Sequence, residues 1–292
     1  MTKFTTFMGR RGRILQSSCN TEPMNHGGLG VRGVTVRFGG LVALDDVTVQ
    51  AQVGEVLGII GPNGAGKTTL FNVICGFVRP TRGSIVYEDK EIPRIRPNSL
   101  TKRGIARTLQ GLGLFPKMTV LENVMCGAEA LAKVGMGPSV LGMARVRREE
   151  RDLAERAEQI LDELGLSGFG DRIPSSLPYA LQKKVALARA MVSKPKFLLL
   201  DEPASGLSND EMDELGQRIT DLKGSAGLLL VEHHMDLVMA VCDRIVVLDF
   251  GRVIAEGTPA EIKSDPVVLE AYLGEEIEGE NYGPVVSSAG ES

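Results

Sequence analysis

The chain has 292 residues, of which 43% are hydrophobic but only 4% aromatic, enough apolar material for one large domain or two small ones. A formal net charge of -4 leaves no basic footprint for a nucleic acid, and no uncharged apolar run approaches the roughly 18 residues of a membrane span. The four cysteines (Cys19, Cys75, Cys126, Cys242) are scattered without metal-ligand spacing and read as thiols of a reducing compartment, Cys75 and Cys242 within apolar surroundings.

Residues 1–28 begin with Lys3, Arg10, Arg11 and Arg13, have no acid before Glu22, and continue with Ser, Thr, Asn and Gly. No apolar stretch of signal-peptide length is present, so a disordered N-terminal extension is expected. From Leu29 the pattern changes. Val31, Val34, Val36 and Phe38, then Val47, Val49 and Val53, predict strands joined through Gly39-Gly40 and Asp45-Asp46.

The apolar run Val56 to Ile60 leads into Gly61-Pro62-Asn63-Gly64-Ala65-Gly66-Lys67-Thr68-Thr69, followed by Leu70 to Cys75 and a stop at Gly76. Strand, glycine-rich turn and helix are the context in which G-x-x-x-x-G-K-[ST] forms a phosphate-binding loop. The glycines let successive N–H groups converge on an anion, and the helix N-terminus adds to that field. Lys67 is placed to reach the β- and γ-phosphates and the Thr68 hydroxyl to meet Mg²⁺. A plain glycine turn accounts for Gly64 and Gly66 but gives no reason for Lys-Thr at the helix start. A nucleoside triphosphate is the expected ligand.

Farther on, Arg82-Gly83 predicts a turn into the strand Ser84 to Tyr87, and Gly104 to Gln110 a strand ending on a polar side chain. Residues 111–176 are richer in helix; Arg148 to Leu164 carries Leu153, Ala157, Ile160, Leu161 and Leu164 at helical spacing. Phe197 to Leu200 precedes Asp201-Glu202, and Leu228 to Val231 precedes Glu232-His233. Short, continuously apolar strands separated by helices predict a parallel sheet covered on both faces. Gln110, Asp201, Glu202 and His233 then share its carboxyl edge, where ligands of such folds gather. Asp201 is suited to the Mg²⁺ shell and Glu202 to orienting and deprotonating the attacking water. Arg244 to Leu248 and Val253 to Ala255 flank Phe250-Gly251 as a hairpin. Residues 275–292, with five Glu and no Lys or Arg, are expected to form a flexible acidic tail.

The phosphate loop, Gln110, Leu177 to Ala190, Phe197 to Leu207 and Glu232-His233 occur in the order and spacing of ATP-binding cassette (ABC) ATPases, which the chain resembles over about residues 29–274. The resemblance implies an α/β P-loop NTPase with a parallel core sheet, an antiparallel β subdomain and an inserted helical subdomain at about 111–176. It implies that Phe38 stacks on adenine, that Gln110 joins the Mg²⁺ shell and senses a transmembrane partner, and that His233 contacts the γ-phosphate. Ser205 to Ser208 matches the loop that crosses the dimer interface, with Ser208 where many members have Asp. Arg107 to Gln110 and Val268 to Glu275 are similar to ATPases of branched-chain amino-acid importers.

One motif departs from the pattern. The family signature L-S-G-G-Q corresponds to Leu177-Pro178-Tyr179-Ala180-Leu181. Pro178 lacks a hydroxyl and an N–H, Ala180 adds a Cβ, and Leu181 replaces an amide by hydrocarbon. Proline is at home at a helix start, so the helix and its dipole should persist. A heterodimer is expected, in which a second ABC ATPase supplies an intact signature to this chain's site. A homodimer with two altered sites is the alternative, as is a harmless variant with Tyr179 or Ser176 filling in.

The resemblance thus implies an ATPase at the cytoplasmic face of a cell membrane that drives transmembrane permease subunits, with an external solute-binding protein and an amino-acid substrate. An export or lipid-handling ATPase would share every nucleotide residue. A non-transport ATP-gated switch usually has two cassettes and basic regions, which this chain lacks.

Overall fold

The computed structural model describes residues 27–88, 90–108, 111–128 and 140–279. The expected extension (1–28) falls outside this range except for Gly27 and Gly28, as do Leu109, Gln110 and residues 280–292.

Two sheets organise the chain. The first is antiparallel, in the order β2 (Leu41–Ala51), β1 (Leu29–Phe38), β4 (Arg82–Tyr87), β5 (Lys90–Ile92). The second has six strands in the order β10 (Arg252–Gly257), β9 (Arg244–Asp249), β3 (Val56–Ile60), β8 (Gly227–Val231), β7 (Phe197–Asp201), β6 (Ile105–Arg107). All its neighbours pair in parallel except β10, which closes the edge as the predicted hairpin.

The central strands are apolar throughout because both faces are covered. Leu57 and Ile59 of β3, Phe197 and Leu199 of β7, and Val246 and Leu248 of β9 join a core with the antiparallel sheet and α1 (Lys67–Ile74). The alternate residues, Val56 and Ile60, Leu198 and Leu200, Ile245 and Val247, face a second core. That core is shared with α2 (Val120–Cys126), α3 (Val140–Glu163), α4 (Tyr179–Met191), α5 (Asn209–Lys223) and α6 (Met235–Val241). The two-residue period of a strand sorts these side chains to opposite faces. No described helix is long and apolar enough to cross a membrane.

Several expectations change in detail. Asp45-Asp46 joins no strands: it lies within β2, where Asp46 adopts φ 56 at a bulge and donates its N–H to Thr35 Oγ1 at 3.2 Å. Val53 falls beyond β2 and is exposed. Arg82-Gly83 belongs to β4, with Gly83 at φ 81 where a Cβ would strike the Gly33 carbonyl oxygen. The strand expected from Gly104 spans only Ile105 to Arg107. The helix expected from Arg148 begins at Val140 and buries Ala157, Ile160, Leu161 and Leu164 as its spacing requires, with Leu164 just past its end. At the C-terminus α7 (Pro259–Ser264) leads into α8 (Pro266–Gly279), so the start of the predicted flexible tail is helical.

Candidate nucleotide site

The phosphate loop connects β3, at the middle of the parallel sheet, to α1. Gly61, Gly64 and Gly66 have φ of 144, 79 and 104, a region that disfavours side chains. At Gly61 a Cβ would lie 1.9 Å from the Leu248 carbonyl oxygen, and at Gly66 2.6 Å from that of Ala43. These two glycines let the loop press against β9 and β2. The loop is also tied to the hairpin, since Gly251 N–H donates to Ala65 O at 3.0 Å. Lys67 Nζ donates to Gly61 O at 2.6 Å and Pro62 O at 2.8 Å, folding its charge over the cradle. Thr68 is exposed on the first turn of α1. Phe38 ends β1 with half its surface exposed, next to the Gly39-Gly40 turn.

Asp201 and Glu202 stand where β7 ends. Asp201 is buried, and Arg107 from β6 reaches it with Nη2 at 2.7 Å from Oδ2 while Nη1 donates to Asn72 Oδ1 at 2.7 Å. The other oxygen, Asp201 Oδ1, is buried with no protein partner. Glu202 has φ 47, an uncommon conformation for a side-chain-bearing residue and one that accumulates at functional sites. Its N–H donates to Val231 O at 2.9 Å.

The next strand end supplies Glu232 and His233. The Glu232 side chain is fully buried. Its Oε1 accepts the Ala204 N–H at 2.6 Å, and its Oε2 accepts the N–H groups of His233 and His234 at 3.1 and 3.3 Å. His234 Nδ1 is 3.0 Å from the same oxygen, so this residue is more than a neighbour of His233: it helps hold the carboxylate. His233 is left half exposed at the carboxyl edge. Glu232 therefore fastens the histidine segment to the turn that carries Glu202.

The signature segment does form a helix start. Pro178 is the N-cap of α4 at φ -51, and Gln182 N–H donates to its carbonyl at 3.1 Å. Leu177 is buried, Leu181 packs against the helical core, and Ala180 is partly covered. Ser176 Oγ donates to Ile173 O at 2.7 Å. Tyr179 turns toward its own chain: a Cβ on Gly206 would lie 3.1 Å from Tyr179 Cε1. Ser208 serves as N-cap of α5, donating its N–H and hydroxyl to Glu211 Oε2 at 2.8 and 2.9 Å. Those bonds pull the Glu211 carboxyl below the usual range.

The fold thus brings Lys67, Thr68, Asp201, Glu202 and His233 to one edge of the sheet; Gln110 lies outside the described residues. The roles of Arg107 and Lys183 and the bridging role of Glu232 were not read from the sequence. A charged residue following the apolar pair Ile105-Ala106 was the available signal for Arg107. Lys183 Nζ donates to Glu202 O at 3.3 Å and Pro203 O at 2.7 Å. Burial pushes its pKa down against the opposing pull of Glu232 and Glu202.

A glycine-cradled loop, a following helix and acids on adjacent strand ends define a phosphate-loop nucleotide-binding protein of the α/β class. The ABC transporter family profile matches residues 44–205, and that of the branched-chain amino acid ATP-binding cassette transporter matches residues 252–278. The chain is 40% identical to the high-affinity branched-chain amino acid transport ATP-binding protein LivG of Salmonella typhimurium, over 85% of this chain and 98% of that one. It is 39% identical to BraF of Pseudomonas aeruginosa over the same shares. Among solved structures, the ADP conformation of MJ1267, an ATP-binding cassette of an ABC transporter, superposes with TM-score 0.71 at 32% identity, covering 86% of this chain and 99% of that one. The dimeric structure of MJ0796, a bacterial ABC transporter cassette, does so with TM-score 0.67 at 27% identity, covering 79% and 98%. The chain belongs to the ABC transporter ATPase family, and its activity is ATP hydrolysis.

Proposed function

We propose that the chain energises import of branched-chain or related hydrophobic amino acids. It would act at the cytoplasmic face of a membrane on two permease subunits supplied by an external solute-binding protein. The observation that carries this reading is the likeness to LivG and BraF along nearly their whole length, together with the matching C-terminal segment at 252–278.

At the site, Phe38 would stack on adenine through its π face, and residues 61–69 would wrap the phosphates, with Lys67 moving from the loop carbonyls to the β- and γ-oxygens. Thr68 and Asp201 would hold Mg²⁺, joined by Gln110. The donor set fits, because Asp201 Oδ1 is a buried acceptor with no protein partner while Oδ2 is committed to Arg107. The ion, when bound, neutralises charge on the β- and γ-phosphates. Glu202 would orient the attacking water and take its proton, and His233 would bond a γ-oxygen from the neighbouring strand end.

The altered signature favours a heterodimer. The face this chain offers to a partner's nucleotide starts with a proline N-cap, without a serine hydroxyl, and Leu181, partly buried, packs against the core. A second ATPase with an intact signature would complete the site built on Lys67 and Glu202. Affinity purification from native membranes in detergent tests the whole reading. Two permeases and a second ATPase are expected alongside this chain; recovery as a homodimer free of membrane proteins would overturn it. Full-rate hydrolysis by this chain alone, with a Hill coefficient above one, would overturn the heterodimer.

A further inference from the structure

The first turn of the signature helix grips the catalytic turn of its own chain. Tyr179 and Lys183 stand four residues apart on α4 and so share one face. The Tyr179 ring lies against Gly206, whose φ of 74 and missing side chain allow the approach. Lys183 Nζ lies 5.5 Å from the centre of that ring and donates to the carbonyls of Glu202 and Pro203. The turn is thereby held from two sides, since Glu232 accepts the Ala204 N–H from the other. Between these anchors Glu202 keeps its φ of 47, which an unsupported turn would relax.

We propose that Lys183, seated by Tyr179, is a positioning residue for Glu202 and ties the geometry of this chain's base to the placement of its own signature helix. In a sandwich dimer that helix faces the nucleotide on the partner, whereas Glu202 serves the nucleotide on this chain. Movement of α4 toward the partner's phosphate is therefore transmitted to the base at the other site through one ammonium group. A neutral side chain of similar length takes the donor from the Pro203 carbonyl and leaves Glu202 O with only the Ser205 N–H at 3.3 Å, which loosens the turn. This coupling rests on the assignment of Glu202 as base and on the dimer proposed above.

The test uses the purified transporter complex with the unmodified chain, Lys183→Met, Lys183→Arg, Tyr179→Phe and Tyr179→Ala, measuring kcat, KM for ATP, the Hill coefficient and Tm. Lys183→Met is expected to lower kcat by about tenfold, with KM changed by less than about twofold. Lys183→Arg, which still donates, should restore most of the rate, and the Hill coefficient should fall toward one only in the methionine variant. Tyr179→Phe keeps the ring that seats Lys183 and should hold the Tm of the unmodified chain; Tyr179→Ala, which removes the ring, loses part of the rate. A kcat for Lys183→Met within about twofold of the unmodified complex overturns the proposal. So does a loss that arginine does not rescue and that follows a fall in Tm, since the role would then be structural. Failure of the underlying assignment is read separately, as undiminished turnover by Glu202→Gln.

Discussion

Replacing Arg107 by Met isolates the interaction that holds the buried Asp201 carboxylate. In the folded chain the guanidinium makes two bonds of 2.7 Å, to Asp201 Oδ2 and Asn72 Oδ1, and lies 5.6 Å from the Phe71 ring centre. The Arg107 and Asp201 side chains are only 10% and 2% exposed. Methionine retains much of the apolar stem but strands a buried carboxylate whose other oxygen already lacks a protein partner. Breaking a buried pair from one side costs about 3–5 kcal/mol. Two hydrogen bonds to charged groups, at about 1.5–3 kcal/mol each, reach the same range. Against a total stability of order 5–15 kcal/mol, Arg107→Met should shift the denaturation midpoint well below that of the unmodified chain. Urea unfolding at pH 7 measures it, and adding Asp201→Asn, which removes the stranded charge, should recover at least half the loss. A midpoint shift worth less than about 1 kcal/mol, or a double variant no more stable than the single one, would refute the reasoning.

Three other outcomes follow from the same geometry. Glu202→Gln should bind ATP as before while turnover falls by about a hundredfold or more; binding and single-turnover assays separate the two effects. Gly66→Ala places a Cβ 2.6 Å from Ala43 O at φ 104, so about 2 kcal/mol or more of stability and most ATP binding should be lost; a well-folded variant with normal affinity would count against the close approach. Burial raises the Cys75 and Cys242 thiols to about 11 and about 12 from 9.0. The unfolded chain thus ionises first, so their contribution is complete below pH 9 and declines as pH rises toward those values, by at most about 1.4 kcal/mol per pH unit per thiol. Cys75→Ala with Cys242→Ala should flatten the alkaline limb of stability against pH; an unchanged limb would exclude the thiols as its source.

The strand–loop–helix at Val56 to Ile74 was legible because its determinants are local: an apolar run, glycines where φ is positive, then Lys-Thr at a helix start. The same holds for the apolar strands ending in Asp201-Glu202 and Glu232-His233, whose continuous hydrophobicity announced a sheet covered on both faces. Asp45-Asp46 misled for an equally local reason. Paired acids suit a turn, but here the chain bulges inside β2, and Asp45 N–H bonds Gly251 O while its carboxylate meets Arg252.

What lies between strands was not legible. Arg107 and Asp201 are 94 residues apart, and Ala204 and Glu232 are 28 apart. They meet only because the strand order sets β6 beside β7 and β7 beside β8. The residue pattern by itself determined that this chain binds a nucleoside triphosphate on a parallel sheet, since a phosphate cradle is built from consecutive backbone groups. The tertiary structure decided which side chains hold the acids in place and that Tyr179 and Lys183, at the start of α4, reach the turn that carries Glu202. Those contacts depend on how distant helices pack against strand ends, a property of the assembled layers that no single stretch of sequence encodes.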